Sequence, residues 1–212
     1  VTEGYPYHSE NNPYSRTKIA SEKLIFKLVK EQGAPVVIVR PAWVYGPRDR
    51  ASFGRFVSLV ESGKGFLLGA GNNIVPVVYV RDVAQGMLKA GDAGDEAVGR
   101  AYNLADDRRV TQAEYLNTIA DALQVPHVSR KIPFSSAYLA GSIAEFLWRA
   151  MQRREKAPPP ITTYGVTLLG GDQQFSIERA RLELGYAPEF DVKRGVGEGV
   201  RWYLNQTEMV GV

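Results

Sequence analysis

The chain has 212 residues, 44% hydrophobic and 23% charged, with 21 Gly, 12 Pro and no Cys, an ordinary globular composition that excludes disorder, collagen-like repeats and low complexity. Without cysteine there are no disulfides, no thiolate nucleophiles and no Cys-based metal sites, and His8 and His127 are too few and too far apart to make a metal-binding His pair on one helix. A formal charge of +3 is too small to argue for nucleic acid.

The length suits one large domain or two small ones, with ample apolar surface for a core. No stretch approaches the roughly 20 consecutive apolar residues of a membrane span. The opening Val1-Thr-Glu-Gly-Tyr-Pro-Tyr7 has no basic-then-apolar run, so the expected compartment is the cytoplasm. The chain also opens without Met, and upstream sequence is expected to be missing.

The first predicted element is a helix with Asn12 as its cap, Pro13 in its first turn and Gly33 at its exit. Tyr14, Lys18, Ser21, Ile25 and Leu28 recur at steps of four and three and so share one face. The run Pro35-Val-Val-Ile-Val-Arg40 is β-branched and not alternating, the pattern of a parallel strand buried on both faces. Pro41 ends it, and Trp43-Val-Tyr-Gly-Pro-Arg48 reads as a loop.

A helix is predicted over Phe53–Glu61, then a Gly/Asn turn at 69–73 and a second β-rich run, Val75–Val80. Asp82 is placed to cap a helix from Val83 to about Ala90. Ala101–Leu104 reads as a strand, and Thr111 with Glu114 forms a capping box opening a helix to Leu123. Helices are predicted from Ser136 to about Lys156, closed by Pro158–Pro160, then over Ser176–Leu184, and after Pro188 to Tyr203. Strands alternating with helices give an α/β class, with no internal repeat and no linker between independent domains.

The chemistry centres on Tyr14 and Lys18, the only Tyr–Lys pair four residues apart in the sequence. One helical turn brings the ammonium beside the phenol. A nearby positive charge favours a phenolate, and a phenol that exchanges its proton is what hydride removal from an alcohol carbon requires. With 11 Tyr in the chain, such a spacing arises by chance about once in two chains of this composition. Spacing alone therefore favours a surface Tyr over a Lys stem.

Other segments carry more information. Pro13-Tyr-Ser-Arg-Thr-Lys18, Val39-Arg-Pro-Ala-Trp-Val-Tyr-Gly-Pro47, Val80-Arg-Asp-Val-Ala84, Tyr102-Asn-Leu104 and Leu184-Gly-Tyr-Ala-Pro188 occur in order. Together they resemble the extended short-chain dehydrogenase/reductase family, in its NAD-dependent epimerase/dehydratase and 3β-hydroxysteroid dehydrogenase branch. The resemblance runs from about Thr2 to Tyr203.

It implies a Rossmann-like doubly wound parallel sheet with a small C-terminal substrate subdomain. The sheet part would be about residues 1–50 and 76–110, the substrate part about 51–75 and 111–212. Tyr14 would be the general acid/base, and Lys18 would assist it and hold the ribose hydroxyls of NAD or NADP. Pro41, Ala42 and Val44 would line the nicotinamide, with Trp43 and Arg48 towards a small-molecule substrate. For Arg40, Asp82 and Tyr102 the expected roles are structural: ion pair, helix cap and strand packing. No metal, nucleic acid or integral membrane segment is expected, and the family's pairing through the Tyr-bearing helix implies a homodimer.

The family's opening strand, Gly-rich turn and helix are not in this sequence. Gly69-Ala-Gly71 reads as a turn, and Gly195-Val-Gly-Glu-Gly199 sits too late for a phosphate loop. The chain is therefore expected to be the C-terminal portion of a longer enzyme, unable to hold a dinucleotide tightly by itself. The stretch Gly71-Asn-Asn-Ile-Val-Pro-Val-Val78 lacks the Arg expected of nucleotide-sugar members, favouring an apolar alcohol or ketone of sterol type. A nucleotide-sugar epimerase/dehydratase and a non-catalytic binding module remain the alternatives. Leu139, Ile143, Phe146, Leu147 and Met151 fit an apolar lid or ordinary core packing, and Arg149, Arg153, Arg154 and Lys156 fit either contact with anionic lipid or a solvated face.

Overall fold

The computed structural model describes residues 1–7, 13–151 and 161–210, the side chains of 207–210 excepted. The expected Asn12 cap and the Pro158–Pro160 stop lie outside the described residues. In chain order the elements are α1 (Pro13–Gln32), β1 (Ile38–Pro41), β2 (Trp43–Tyr45), α2 (Phe53–Glu61), β3 (Leu67–Leu68), β4 (Val77–Tyr79), α3 (Val80–Gly91), β5 (Ala101–Leu104), α4 (Gln112–Leu123), β6 (Lys131–Ile132), α5 (Phe134–Ala150), α6 (Thr163–Gly170), α7 (Glu178–Leu184) and α8 (Val192–Val210). They form two compact units, each assembled from three stretches of chain.

The first unit comprises Val1–Val44, Val77–Asp107 and Phe175–Phe190. Strand β1 runs parallel to β5, with Ile38 opposite Ala101 and Pro41 opposite Leu104. Helices α3 and α7 pack on β5, all of whose residues are buried. Val78, Val83, Tyr102, Leu104, Ile177, Ala180 and Tyr186 form the core. Strands β4 and β5 are fully buried, whereas β1 is only half-buried, against the expectation for its apolar run. A β-branched run reports strand propensity, whereas burial depends on which neighbours cover it.

Helix α1 buries no residue completely. Its half-buried residues are Ser15, Ile19, Glu22, Ile25, Phe26, Leu28 and Val29, so the predicted face is exposed at Tyr14, Lys18 and Ser21 and half-buried at Ile25 and Leu28. At its exit Gly33 adopts φ 62° and donates to the Val29 carbonyl at 3.0 Å.

Helix α3 begins at Val80, so Asp82 lies in its first turn and is not its cap. The carboxylate instead accepts from the amides of Glu189 (2.8 Å) and Phe190 (3.3 Å), fastening the last stretch of this unit. Burial, reinforced by the neighbouring Asp106 carboxylate, raises the Asp82 carboxyl above its usual range, although those two amides pull it down.

The second unit comprises Tyr45–Pro76, Arg108–Gln174 and Asp191–Val212. Strands β3 and β6 run parallel, α4 packs against α2 and α8, and α5 packs against α6. The Thr111–Glu114 capping box forms as predicted. The next residue, Gln112, is fully buried. Its Oε1 accepts from the Leu68 amide at 2.7 Å, and its Nε2 donates to the Leu169 carbonyl at 2.9 Å. Tyr45 stacks edge-on against Tyr115, and α8 crosses close to Phe53. That approach explains Gly199, because a Cβ there would stand 2.5 Å from the Phe53 ring, whereas a Cβ on Gly197 would meet nothing within 4 Å.

Candidate functional site

In the first unit, α1 carries Tyr14 and Lys18 on its exposed side, with Tyr14 60% exposed. The Lys18 ammonium lies over the Tyr14 ring, 5.7 Å from its centroid, a cation–π separation that the four-residue spacing produces directly. The pair sits on a regular turn, where Thr17 Oγ1 donates to the Tyr14 carbonyl at 2.8 Å.

What fixes α1 is a network the expected site did not include. Arg40, at the end of β1, pairs with Glu22 of α1 and donates through its second nitrogen to the Glu3 carbonyl at 3.0 Å. The Tyr7 hydroxyl donates to Glu22 at 3.0 Å, and Glu3 accepts the Asn103 amide of β5 at 2.9 Å. The expected ion pair of Arg40 is thus present, and it ties the opening segment, α1 and the strand pair together. Burial and the adjacent Glu22 carboxylate hold the proton on Tyr7 above its ordinary range, with Arg40 acting the other way. The sequence carried no periodic signal for Glu3, Tyr7 or Glu22, because their partners lie up to a hundred residues away.

Past the carboxyl end of β1, the Ala42 amide donates to the Leu104 carbonyl at 2.8 Å, extending the pairing by one residue. Pro41 is exposed there, and Ala42, Trp43 and Val44 are half-buried. The loop predicted over Trp43–Arg48 opens as a short strand, β2, before turning. Tyr102, placed as strand packing, is buried in the core, and its hydroxyl donates to Glu183 at 2.8 Å. Burial, then the Glu183 carboxylate, push its phenol up to about 12.

Arg48 belongs to the second unit, exposed and in the left-handed region at φ 73°. The adjacent Asp49 holds this turn. Its Oδ1 accepts from the amides of Ala51 and Ser52, both at 3.0 Å, and its Oδ2 accepts from the Phe53 amide at 2.9 Å and from the Ser52 hydroxyl. Partial burial works against the charge, but these four donors outweigh it and hold the carboxyl below its usual range. Asp49 therefore satisfies the amides at the start of α2, a task that Ser52 does not perform with its own side chain.

The stretch Ile74–Tyr79 is buried throughout, so its apolar character is used in packing. Asn73 just before it is fixed by the carbonyls of Leu169 and Gly171, at 2.8 and 3.0 Å. Among the described residues there is no cluster of three His, Asp or Glu side chains able to hold a metal.

Residues 1–105 match the model of the NAD dependent epimerase/dehydratase family. The chain is similar to 2-alkyl-3-oxoalkanoate reductase of Stenotrophomonas maltophilia, 28% identical over 87% of this chain and 56% of that protein. It is 28% identical to 3beta-hydroxysteroid-dehydrogenase/decarboxylase isoform 2 of Arabidopsis thaliana, over 91% of this chain and 35% of the relative. Short-chain dehydrogenase/reductase family 42E member 1 of Bos taurus is 30% identical, over 93% and 53%. In fold the chain is similar to the crystal structure of gox2253, with a TM-score of 0.74 at 23% identity over 97% of this chain and 61% of that one. A UDP-glucuronic acid 4-epimerase from Bacillus cereus in complex with NAD gives 0.71 at 18% identity, over 97% and 56%. These structures place the chain in the Rossmann-like α/β class. The chain spans about half the length, or less, of these curated relatives.

Proposed function

We propose that this chain, which belongs to the NAD-dependent epimerase/dehydratase family, carries the proton-transfer pair of a nicotinamide-dependent dehydrogenase acting on a hydrophobic secondary alcohol or its ketone. The observation that carries this reading is the Lys18 ammonium over the Tyr14 ring on an exposed helical turn. Such a phenol is open to a substrate and has a positive charge over its ring.

The residues at this end of the first unit suit the nicotinamide half of NAD or NADP. Lys18 is an exposed ammonium with three donors for ribose hydroxyls, and Ala42 and Val44 offer a half-exposed apolar wall past the carboxyl end of a parallel strand. When bound, the nicotinamide supplies the hydride acceptor or donor. The chain's own part is the proton. In oxidation the Tyr14 oxygen takes the hydroxyl proton of the alcohol as its carbon–hydrogen bond breaks, leaving a ketone, and in reduction it gives that proton back. Lys18 stabilises the negative charge on that oxygen. Trp43, beside the wall, is assigned to the substrate side.

For the substrate, Gly71–Val78 offers no basic side chain to a nucleotide. The names of the reductase and the hydroxysteroid dehydrogenase relatives also refer to hydrophobic ketones and alcohols. A sugar-nucleotide epimerase or dehydratase is the second reading, favoured by the description of the matching family model. A non-catalytic module is disfavoured by the intact Tyr14–Lys18 pair.

The test follows nicotinamide absorbance in the protein that carries this chain, with a 3β-hydroxysteroid, a long-chain 3-oxoacid and UDP-sugars offered separately. Turnover of the hydrophobic compounds is expected, with Tyr14→Phe abolishing it and leaving nucleotide affinity nearly unchanged. Consumption of UDP-sugars alone would overturn the substrate class. A Tyr14→Phe rate above about a tenth of wild type would overturn the proton-transfer assignment.

A further inference from the structure

A cleft of about 390 Å³ opens between the start of α2 and the second half of α8. Its volume is in the range of small-molecule sites. Every residue that lines it belongs to the second unit, whereas Tyr14 and Lys18 belong to the first. Gly54 forms part of its wall, and a Cβ there would stand 3.2 Å from the Asp49 carbonyl and 3.8 Å from the Tyr203 ring.

Two exposed guanidinium groups, Arg50 and Arg55, line the same cleft. Arg50 is held in place. Its guanidinium lies over the Trp202 ring, 5.6 Å from the centroid, and its Nη2 donates to Gln206 Oε1 at 3.3 Å. A guanidinium stacked by its face keeps further N–H donors on its edge for a ligand. Ser58, three residues after Arg55 on α2 and so on the same side of the helix, adds a hydroxyl donor.

No carboxylate answers these charges. Among the described residues, neither Asp nor Glu lines the cleft. Asp49, beside Arg50 in sequence, uses both oxygens on the amides of Ala51, Ser52 and Phe53 and on the Ser52 hydroxyl. Elsewhere the arginines meet acids, Arg40 with Glu22, Arg100 with Glu183 and Arg181 with Asp107. Two like charges in one small cleft repel each other, and an anion that bridges them relieves that repulsion.

We propose that this cleft binds an organic phosphate monoester. The phosphate accepts from the edges of Arg50 and Arg55 and from the Ser58 hydroxyl, and the organic group lies against Gly54 and the Tyr203 ring. Two positive charges suit a dianion, and the guanidinium fork matches the spacing of phosphate oxygens.

The test titrates phenyl phosphate by calorimetry into the protein that carries this chain, with and without saturating NAD. A dissociation constant of about 1 mM or tighter is expected, unchanged by NAD and weakened as added salt screens the charges. Arg55→Gln should weaken binding at least about tenfold, the loss expected for hydrogen bonds to a charged group. Arg50→Gln should do the same. Because Arg50 also packs on Trp202, a thermal transition within a few degrees of wild type would show that its variant keeps the fold. Arg55 has no ion-pair partner among the described residues, so its variant carries the test if the other unfolds. Absence of binding, or binding that folded Arg50 and Arg55 variants both retain, would overturn the proposal. Inorganic phosphate or benzoate binding as tightly as phenyl phosphate would also overturn it, the first by removing the organic group and the second by making the site one for carboxylates. Displacement by NAD would overturn it too, by placing the phosphate at the dinucleotide site. None of these outcomes bears on Tyr14.

Discussion

Replacing Asp49 tests whether the turn after β2 is held by a charge. In the structure its two oxygens accept from three amides and one hydroxyl at the start of α2. Asp49→Ala leaves those amides to water, and Ser52 makes no side-chain cap to replace it. Removing a helix cap costs about 1 kcal/mol and hydrogen bonds to a charged acceptor about 1.5–3 kcal/mol, so for this half-exposed site a loss of about 2 kcal/mol is expected. Asp49→Asn keeps one acceptor oxygen and should lose about half of that. The sign with pH follows from the lowered carboxyl. Because the folded state holds the proton more weakly than the unfolded chain, the stabilisation is complete above the ordinary aspartate value of about 4. It disappears as pH falls through the lower folded value. Urea denaturation of wild type, Ala and Asn chains across the acid range measures the gap. A gap that stays constant down to the lowest pH, or is below about 0.5 kcal/mol at neutral pH, would show that Asp49 does not hold the turn by its charge.

Lys18→Met, in the protein that carries the chain, is expected to weaken nucleotide binding and slow turnover together; movement of only one of these, read from titration and steady-state kinetics, would remove half of the proposed role. Gly199→Ala forces a methyl to within 2.5 Å of the Phe53 ring in a packed helix crossing, so a loss of about 1–3 kcal/mol by urea denaturation is expected, and an unchanged midpoint would deny the close approach. Tyr102, with its phenol pushed up to about 12 by burial and Glu183, adds stability that is complete below the unfolded value of about 10 and lost as pH rises towards the folded one. Tyr102→Phe should reduce the alkaline slope by its share, the raised phenols of Tyr7, Tyr115 and Tyr186 keeping the rest, and a slope unchanged by the substitution would refute it.

Element type was legible where local chemistry decides it. The bounds of α2 and the Thr111 capping box follow from apolar periodicity and capping residues that lie within one turn of the helix they start. Burial was less legible. The run before Pro41 and the run Ala101–Leu104 look alike as β-branched or apolar segments, yet of these two only the second is fully buried: α3 packs on both strands, and α7 packs on β5 besides. Asp82 illustrates the same limit. An Asp before Val-Ala is a sound helix cap by local rules, but amides more than a hundred residues away claim its carboxylate. Helix α6 escaped notice because Thr163-Tyr-Gly-Val-Thr-Leu-Leu-Gly170 is rich in Gly and β-branched residues, and its start is set by the Thr162 cap and by Glu145 of α5.

The candidate site divides along the same line. Tyr14 and Lys18 were legible because their relation is a helical spacing, and a spacing survives into three dimensions whatever surrounds the helix. The groups that position that helix were not, since Glu22, Arg40, Tyr7 and Glu3 form a network only when three separate stretches of chain meet. This asymmetry bears on how substitutions should behave. On the proposed function, changes at Tyr14 or Lys18 act on chemistry at an exposed turn and should leave stability nearly intact. Arg40→Met should do the reverse, removing the partner of the half-buried Glu22 and loosening α1 from β1. Its effect on turnover would come through a displaced helix, so it should appear together with a lowered thermal transition. A variant at Arg40 that lost activity at full stability would mean that the guanidinium acts on the ligand and not on the frame.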